Sequence, residues 1–150
     1  MANLTGSSTA EINAPIDAVW DVVKDVEKAP QWQGGMDSLT AEAHDGDGRA
    51  TLCEAVADIK VRKAKSKIRF DYSGAPNTLT WSQEKGDLKA VDGAWVLTDL
   101  GDNKTRATYE IEVDFGRLLG AMVKGPVEAG IRSMLVSARA EELKKRVEGA

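Results

Sequence analysis

Hydrophobic and polar positions alternate most strictly over residues 104–115. Ala107, Tyr109, Ile111, Val113 and Phe115 fall on one face, and Arg106, Thr108, Glu110, Glu112 and Asp114 fall on the other. Residues 63–72 repeat the pattern, with Ala64, Ser66, Ile68, Phe70 and Tyr72 opposite Lys63, Lys65, Lys67, Arg69 and Asp71. Successive strand side chains point to opposite faces, so a period of two predicts antiparallel strands with one side on a core and one in water. Residues 51–59, with small Thr51, Cys53, Ala55 and Ala57 and then Ile59 on one parity, and residues 6–14, with Ala10 and Ile12, read the same way. Turn-forming clusters separate the runs: Asp45-Gly46-Asp47-Gly48, Gly74-Ala75-Pro76-Asn77, Lys85-Gly86-Asp87, Asp92-Gly93 and Gly101-Asp102-Asn103. The spacing predicts about six strands in a meander after the first strand and helix.

Two regions carry the helical period instead. After Pro15, Ile16, Val19, Trp20, Val23 and Val26 recur at helical spacing, and Ala29-Pro30 ends or bends the helix before Trp32 and Gly34-Gly35. Beyond Gly116, with a break at Gly125-Pro126, an apolar stripe runs through Leu119, Met122, Val123, Val127, Ile131, Met134, Leu135 and Ala138. The opposite side reads Lys124, Glu128, Arg132, Arg139, Glu142 and Lys145. Strand, short helices, a long antiparallel run and a final helix make an α+β order, in which the last helix buries its stripe on the sheet.

The 150 residues, 42% hydrophobic and 29% charged, fit one globular domain spanning 1–150 with no composition break. A net charge of −4 argues against a dedicated nucleic-acid binder. No apolar run is long enough to span a membrane, so stable insertion is not expected. The amino-terminal residues lack the basic and apolar regions of a secretory leader, and the single Cys53 suits a reducing compartment. A cytoplasmic protein is the expectation.

The segments Ile12-Asn13-Ala14-Pro15-Ile16-Asp17-Ala18-Val19-Trp20, Pro30-Gln31-Trp32, Trp81 with Gly86-Asp87-Leu88-Lys89, and Gly93-Ala94-Trp95-Val96-Leu97 carry a resemblance over roughly residues 8–148. The chain resembles the helix-grip superfamily of StAR-related lipid-transfer, birch-pollen-allergen-like, polyketide cyclase/dehydrase-like and coenzyme-Q-binding proteins, nearest to the last two branches. The resemblance implies a curved antiparallel sheet of about seven strands and two short helices after the first strand. It also implies a long carboxy-terminal helix over an apolar cavity that holds a lipid, quinone or polyketide. Parity and helical period then place Phe70, Tyr72, Trp81, Trp95, Leu97, Tyr109, Ile111, Val127, Ile131 and Met134 along that cavity, with Trp32 at its entrance.

Candidate chemistry is sparse. His44 stands alone before a turn, and Asp45-Gly46-Asp47-Gly48-Arg49 departs from a calcium loop because Arg49 occupies a ligand position. No His/Cys cluster, phosphate loop, dinucleotide fingerprint or serine-nucleophile motif is present, so no metal, cofactor or catalytic residue is assigned. Carriage or sensing of a hydrophobic ligand is the leading expectation. The first alternative is a polyketide cyclase/dehydratase-like enzyme, for which Tyr72, Tyr109, Asp99 and Asp71 are the eligible acid–base groups, with no inward histidine or arginine. The second is a toxin-like or regulatory protein- or ribosome-interaction module using the outer strip Lys63, Lys65, Lys67 and Arg69. On a strand's water face such lysines ordinarily pair with cross-strand carboxylates such as Glu54, Asp58 or Glu84.

Overall fold

The structure is a computed structural model that describes residues 4–149; residues 1–3, part of the stretch read for a leader, and residue 150 lie outside it. Strand β1 (Leu4–Ile12) is followed by helix α1 (Ile16–Val23) and a 3-10 helix (Val26–Gln31). Six strands come next: β2 (Met36–His44), β3 (Ala50–Asp58), β4 (Lys63–Asp71), β5 (Thr78–Gly86), β6 (Ala90–Gly101) and β7 (Lys104–Asp114). All pair antiparallel in the order β1-β7-β6-β5-β4-β3-β2, so the first strand closes beside the last and every other neighbour is a hairpin. Register shifts interrupt β2/β3, β4/β5 and β6/β7, and such bulges bend a sheet.

Local chemistry explains the tightest turn. Asp102 (φ 54°) and Asn103 (φ 57°) both occupy the left-handed region between paired Gly101 and Lys104. That is a two-residue type I′ connection, whose twist matches a right-twisted hairpin. Asp92-Gly93, expected as a turn, instead lies inside β6 with Gly93 opposite Trp81. A Cβ at Gly93 would come within 2.4 Å of the Trp81 indole, so the glycine is there to make room for the ring.

The carboxy-terminal helical region begins with the short α2 (Gly116–Gly120). It then runs as α3 (Pro126–Arg132), a π turn (Ser133–Ser137) and α4 (Arg139–Glu148). The π turn changes which residues face the sheet. Ile131 and Val136 are both buried five positions apart, and Arg139, Ala140 and Leu143 follow them inward. A π turn closes over five residues, so the α-helical stripe read from the sequence slips in phase beyond it. Ala138, expected inside, is exposed, and Met122 is 48% exposed. Arg139, expected on the water side, is among the largest fully buried side chains. No helix among the described residues is long and apolar enough to cross a membrane.

Candidate functional site

Between sheet and helices lies a cavity of about 140 Å³. Strand parity builds one wall from Ala55, Ala57, Ala64, Ser66, Ile68 and Phe70, and β5–β7 add Trp81, Trp95, Tyr109 and Ile111. The small residues of β3 and β4 matter because they leave space opposite the rings instead of filling it. Ile131, Leu135 and Val136 close the helical side, Trp32 and Gln33 follow from the loop after the 3-10 helix, and Met36 from the start of β2.

The aromatic side chains form a continuous series across this wall. Centroid distances are 6.1 Å from Phe70 to Trp81, 5.7 Å from Trp81 to Tyr109, 4.9 Å from Tyr109 to Trp95 and 6.2 Å from Trp95 to Trp32. All four pairs are tilted, the geometry that ring quadrupoles favour. Trp95 and Tyr109 are buried, whereas Trp32, Phe70 and Trp81 are half-buried.

Phe70, Trp81, Trp95, Tyr109, Ile111 and Ile131 come together on the wall, and Trp32, expected at the entrance, joins them there. Tyr72, Leu97, Val127 and Met134 do not line the cavity. Tyr72 follows the end of β4, where its hydroxyl donates to the Ala50 carbonyl at 2.6 Å and Arg49 covers its ring. Burial raises its phenol's pKa. Leu97 is buried core, Val127 only partly buried on the first turn of α3, and Met134 lies within the π turn against Gly35. The acid–base candidates Asp71 and Asp99 are exposed and accept the backbone N–H groups of Ser73 and Gly101 within turns. They stand in water, away from the cavity wall. His44 is exposed as well, 3.3 Å from Glu27.

The wall includes one guanidinium that the sequence reading leaves outside. Arg139 is 1% exposed. Its Nη1 donates to the Gly34 carbonyl at 3.1 Å and to Glu142 Oε1 at 2.7 Å, and its carbon Cζ lies 5.6 Å from the Tyr109 ring centre. Glu142 Oε2 in turn accepts the Gly34 N–H at 2.8 Å, so the ion pair clamps both backbone polar groups of Gly34. Gly35 beside it has φ 79°, and a Cβ there would meet Leu135 at 2.4 Å; the loop needs a glycine to approach the helix. This clamp ties the segment carrying Trp32 to α4. Arg139 Nε is buried without a hydrogen-bond partner. Burial raises the Tyr109 pKa, and the neighbouring Arg139 opposes that shift without cancelling it. The phenol is therefore neutral at physiological pH.

Cys53 is fully buried, and desolvation pushes its thiol up to about 11, so it is not a ready nucleophile. Asp25, Gln33 and Ser66 complete the polar part of the wall.

A bent antiparallel sheet gripping a carboxy-terminal helix over an apolar cavity defines the helix-grip class. The chain belongs to the polyketide cyclase/dehydrase and lipid-transport family, whose model matches residues 12–139. Its fold is similar to a START superfamily protein from Mycobacterium smegmatis, with 22% identity, 97% of each chain covered and a TM-score of 0.80. It is also similar to the Zhui aromatase/cyclase from Streptomyces sp. R1128 (16% identity, 97% and 93% covered, TM-score 0.78). A protein from Thermus thermophilus superposes with a TM-score of 0.76 at 18% identity, covering 97% and 98%. No curated protein matches the chain by sequence.

Proposed function

We propose that this protein carries or senses a small hydrophobic molecule held between the sheet and the π-turn region of its carboxy-terminal helix. The observation that carries this reading is the aromatic series from Phe70 to Trp32 facing a cavity that the small side chains of β3 and β4 leave open. Burying apolar ligand surface there is worth about 25 cal/mol per Å², and the rings lose little freedom on contact. Family membership, in a group described by polyketide cyclisation and lipid transport, agrees with a hydrophobic occupant.

Native mass spectrometry of the protein purified from cells, followed by organic extraction, tests the reading. A released hydrophobic mass supports it and identifies the ligand class. A mass without adduct, together with no thermal shift across a panel of lipids, quinones and aromatic ketones, overturns it.

A cyclase-like reading has one observation in its favour, the guanidinium on the cavity wall, which suits a developing enolate oxygen. Its general base would have to be Asp25, which is also 3.4 Å from Lys28. Turnover of a poly-β-ketone lost on Asp25→Asn would favour this reading over simple carriage.

A further inference from the structure

We propose that Trp81, laid across Gly93, sets the upper size limit of the ligand, so that the cavity takes a single ring and shuts out a fused pair. The proposal rests on the hydrophobic-ligand reading and narrows it to a size class.

Gly93 belongs to the inner face of the sheet. It pairs directly with Trp81 on β5 and with Ile111 on β7, and residues directly opposite each other share a face. Trp81 and Ile111 are on the cavity wall, whereas Gly93 is not. The indole takes the place of the missing side chain: a Cβ on Gly93 would come within 2.3 Å of Trp81 Cε2 and 2.4 Å of its Cζ2 and Nε1. Ordinary carbon–carbon contact is about 3.5–4.0 Å, so the ring rests at a depth that any side chain at position 93 would forbid.

The ring has little room to slip aside. Phe70 on β4 stands 6.1 Å from it and Tyr109 on β7 stands 5.7 Å from it, centroid to centroid. Side chains stand out of the sheet, so a methyl at position 93 drives the indole into the cavity, toward Ile131, Leu135 and Val136 on the helical side. Restoring ordinary contact takes a lift of about 1 Å. The space is too small to absorb it. A volume of about 140 Å³ is close to the roughly 150 Å³ of an engineered apolar cavity that admits benzene. It holds one ring with no reserve for a second. Removing the indole, by contrast, uncovers the Gly93 backbone and adds the volume of the lost rings beside Phe70.

Toluene and naphthalene, titrated against the intact protein by calorimetry or ligand-observed NMR, test this. Apolar area alone favours naphthalene, which has more surface to bury. The size limit predicts the opposite order in the wild type, toluene binding about tenfold tighter, on the scale that overpacking imposes. Trp81→Ala should reverse that order. Gly93→Ala should weaken toluene by about tenfold, and should leave it unchanged in the Trp81→Ala background, where no indole remains to be lifted. Should either variant fail to fold, the wild-type order of the two hydrocarbons decides, together with the Trp81 Nε1–H resonance, which should move with toluene and not with naphthalene. Naphthalene binding tighter than toluene in the wild type overturns the proposal and leaves the hydrophobic-ligand reading intact. An equal loss of toluene on Gly93→Ala with and without the indole overturns it too. If neither hydrocarbon binds, the proposal falls, and the panel of lipids, quinones and aromatic ketones decides the reading beneath it.

Discussion

Strand β4 presents two opposite environments a few ångströms apart. Inward, Ala64, Ser66, Ile68 and Phe70 line a cavity. Outward, Lys63 reaches Asp37 at 2.7 Å, Lys67 reaches Glu42 at 3.0 Å, and Arg69 Nε reaches Glu84 at 2.8 Å. The inner face leaves space; the outer face leaves few of its interactions unmade. Richness in charge is therefore a poor guide to function here. The basic strip that looks like a docking site has supplied its own counter-charges from β2 and β5. The quieter alanine-rich face is the one that leaves a cavity open.

If the inner face is where structure and ligand binding meet, truncating its centre should have the largest effect. Trp95→Ala removes a ring 2% exposed that contacts both Trp32 and Tyr109. It should cost about 3–5 kcal/mol in urea unfolding, the range for deleting a buried tryptophan. A hydrophobic probe should then stabilise the variant more than the wild type, because the cavity has grown. A loss below about 1 kcal/mol would mean the wall around Trp95 collapses freely, against a preformed site.

Tyr72→Phe sharpens the boundary of that face. The hydroxyl's bond to the Ala50 carbonyl is buried, so its loss should cost about 1–2 kcal/mol. Ligand affinity should not change, since Tyr72 is outside the cavity wall. A weakened ligand with unaltered stability would return Tyr72 to the site.

The two faces also differ in how far they can be read from the chain. Strand parity is local and survives bending, so Ala64, Ser66, Ile68 and Phe70 turn inward on alternation alone. Gly93 misleads because Asp-Gly is a turn signal over two residues, whereas its reason is a cross-strand partner, Trp81, twelve positions away. Arg139 escapes because it is charged and stands at the edge of the stripe. An α-helical period carried forward from Ile131 puts position 139 about 80° away, at the flank of the stripe, where a charged residue reads as outward; beyond the π turn it is buried on the cavity wall. The chain does hold a signal: Val136, Ala140, Leu143 and Val147 make a second apolar stripe with its own helical spacing, out of phase with the first. Asp25 and Gln33 reach the wall from the connections on either side of the 3-10 helix, whose paths no periodicity reports.

The smallest expected effect belongs to the outer face, and its sign can be derived. Hydrogen bonding to Asp37 raises the pKa of Lys63, and hydrogen bonding to Glu42 raises that of Lys67. A lysine whose folded pKa is raised stabilises the fold fully below the ordinary lysine value and loses that contribution as pH rises through the raised one. Lys63→Ala and Lys67→Ala should therefore lower the melting temperature slightly at neutral pH and low salt. Each difference from wild type should shrink in about 1 M salt, where screening extends over roughly 3 Å, and again at strongly alkaline pH. Comparison with wild type at each pH cancels the titration of Cys53 near 11, which both proteins share. A difference that survives both treatments would show that the lysine stems, not their charges, hold the strip. A partner that binds the strip must break these pairs first, so its affinity should rise when Asp37 and Glu42 are neutralised. Unchanged affinity in Asp37→Asn/Glu42→Gln would remove the strip as a docking surface and leave the inner face alone.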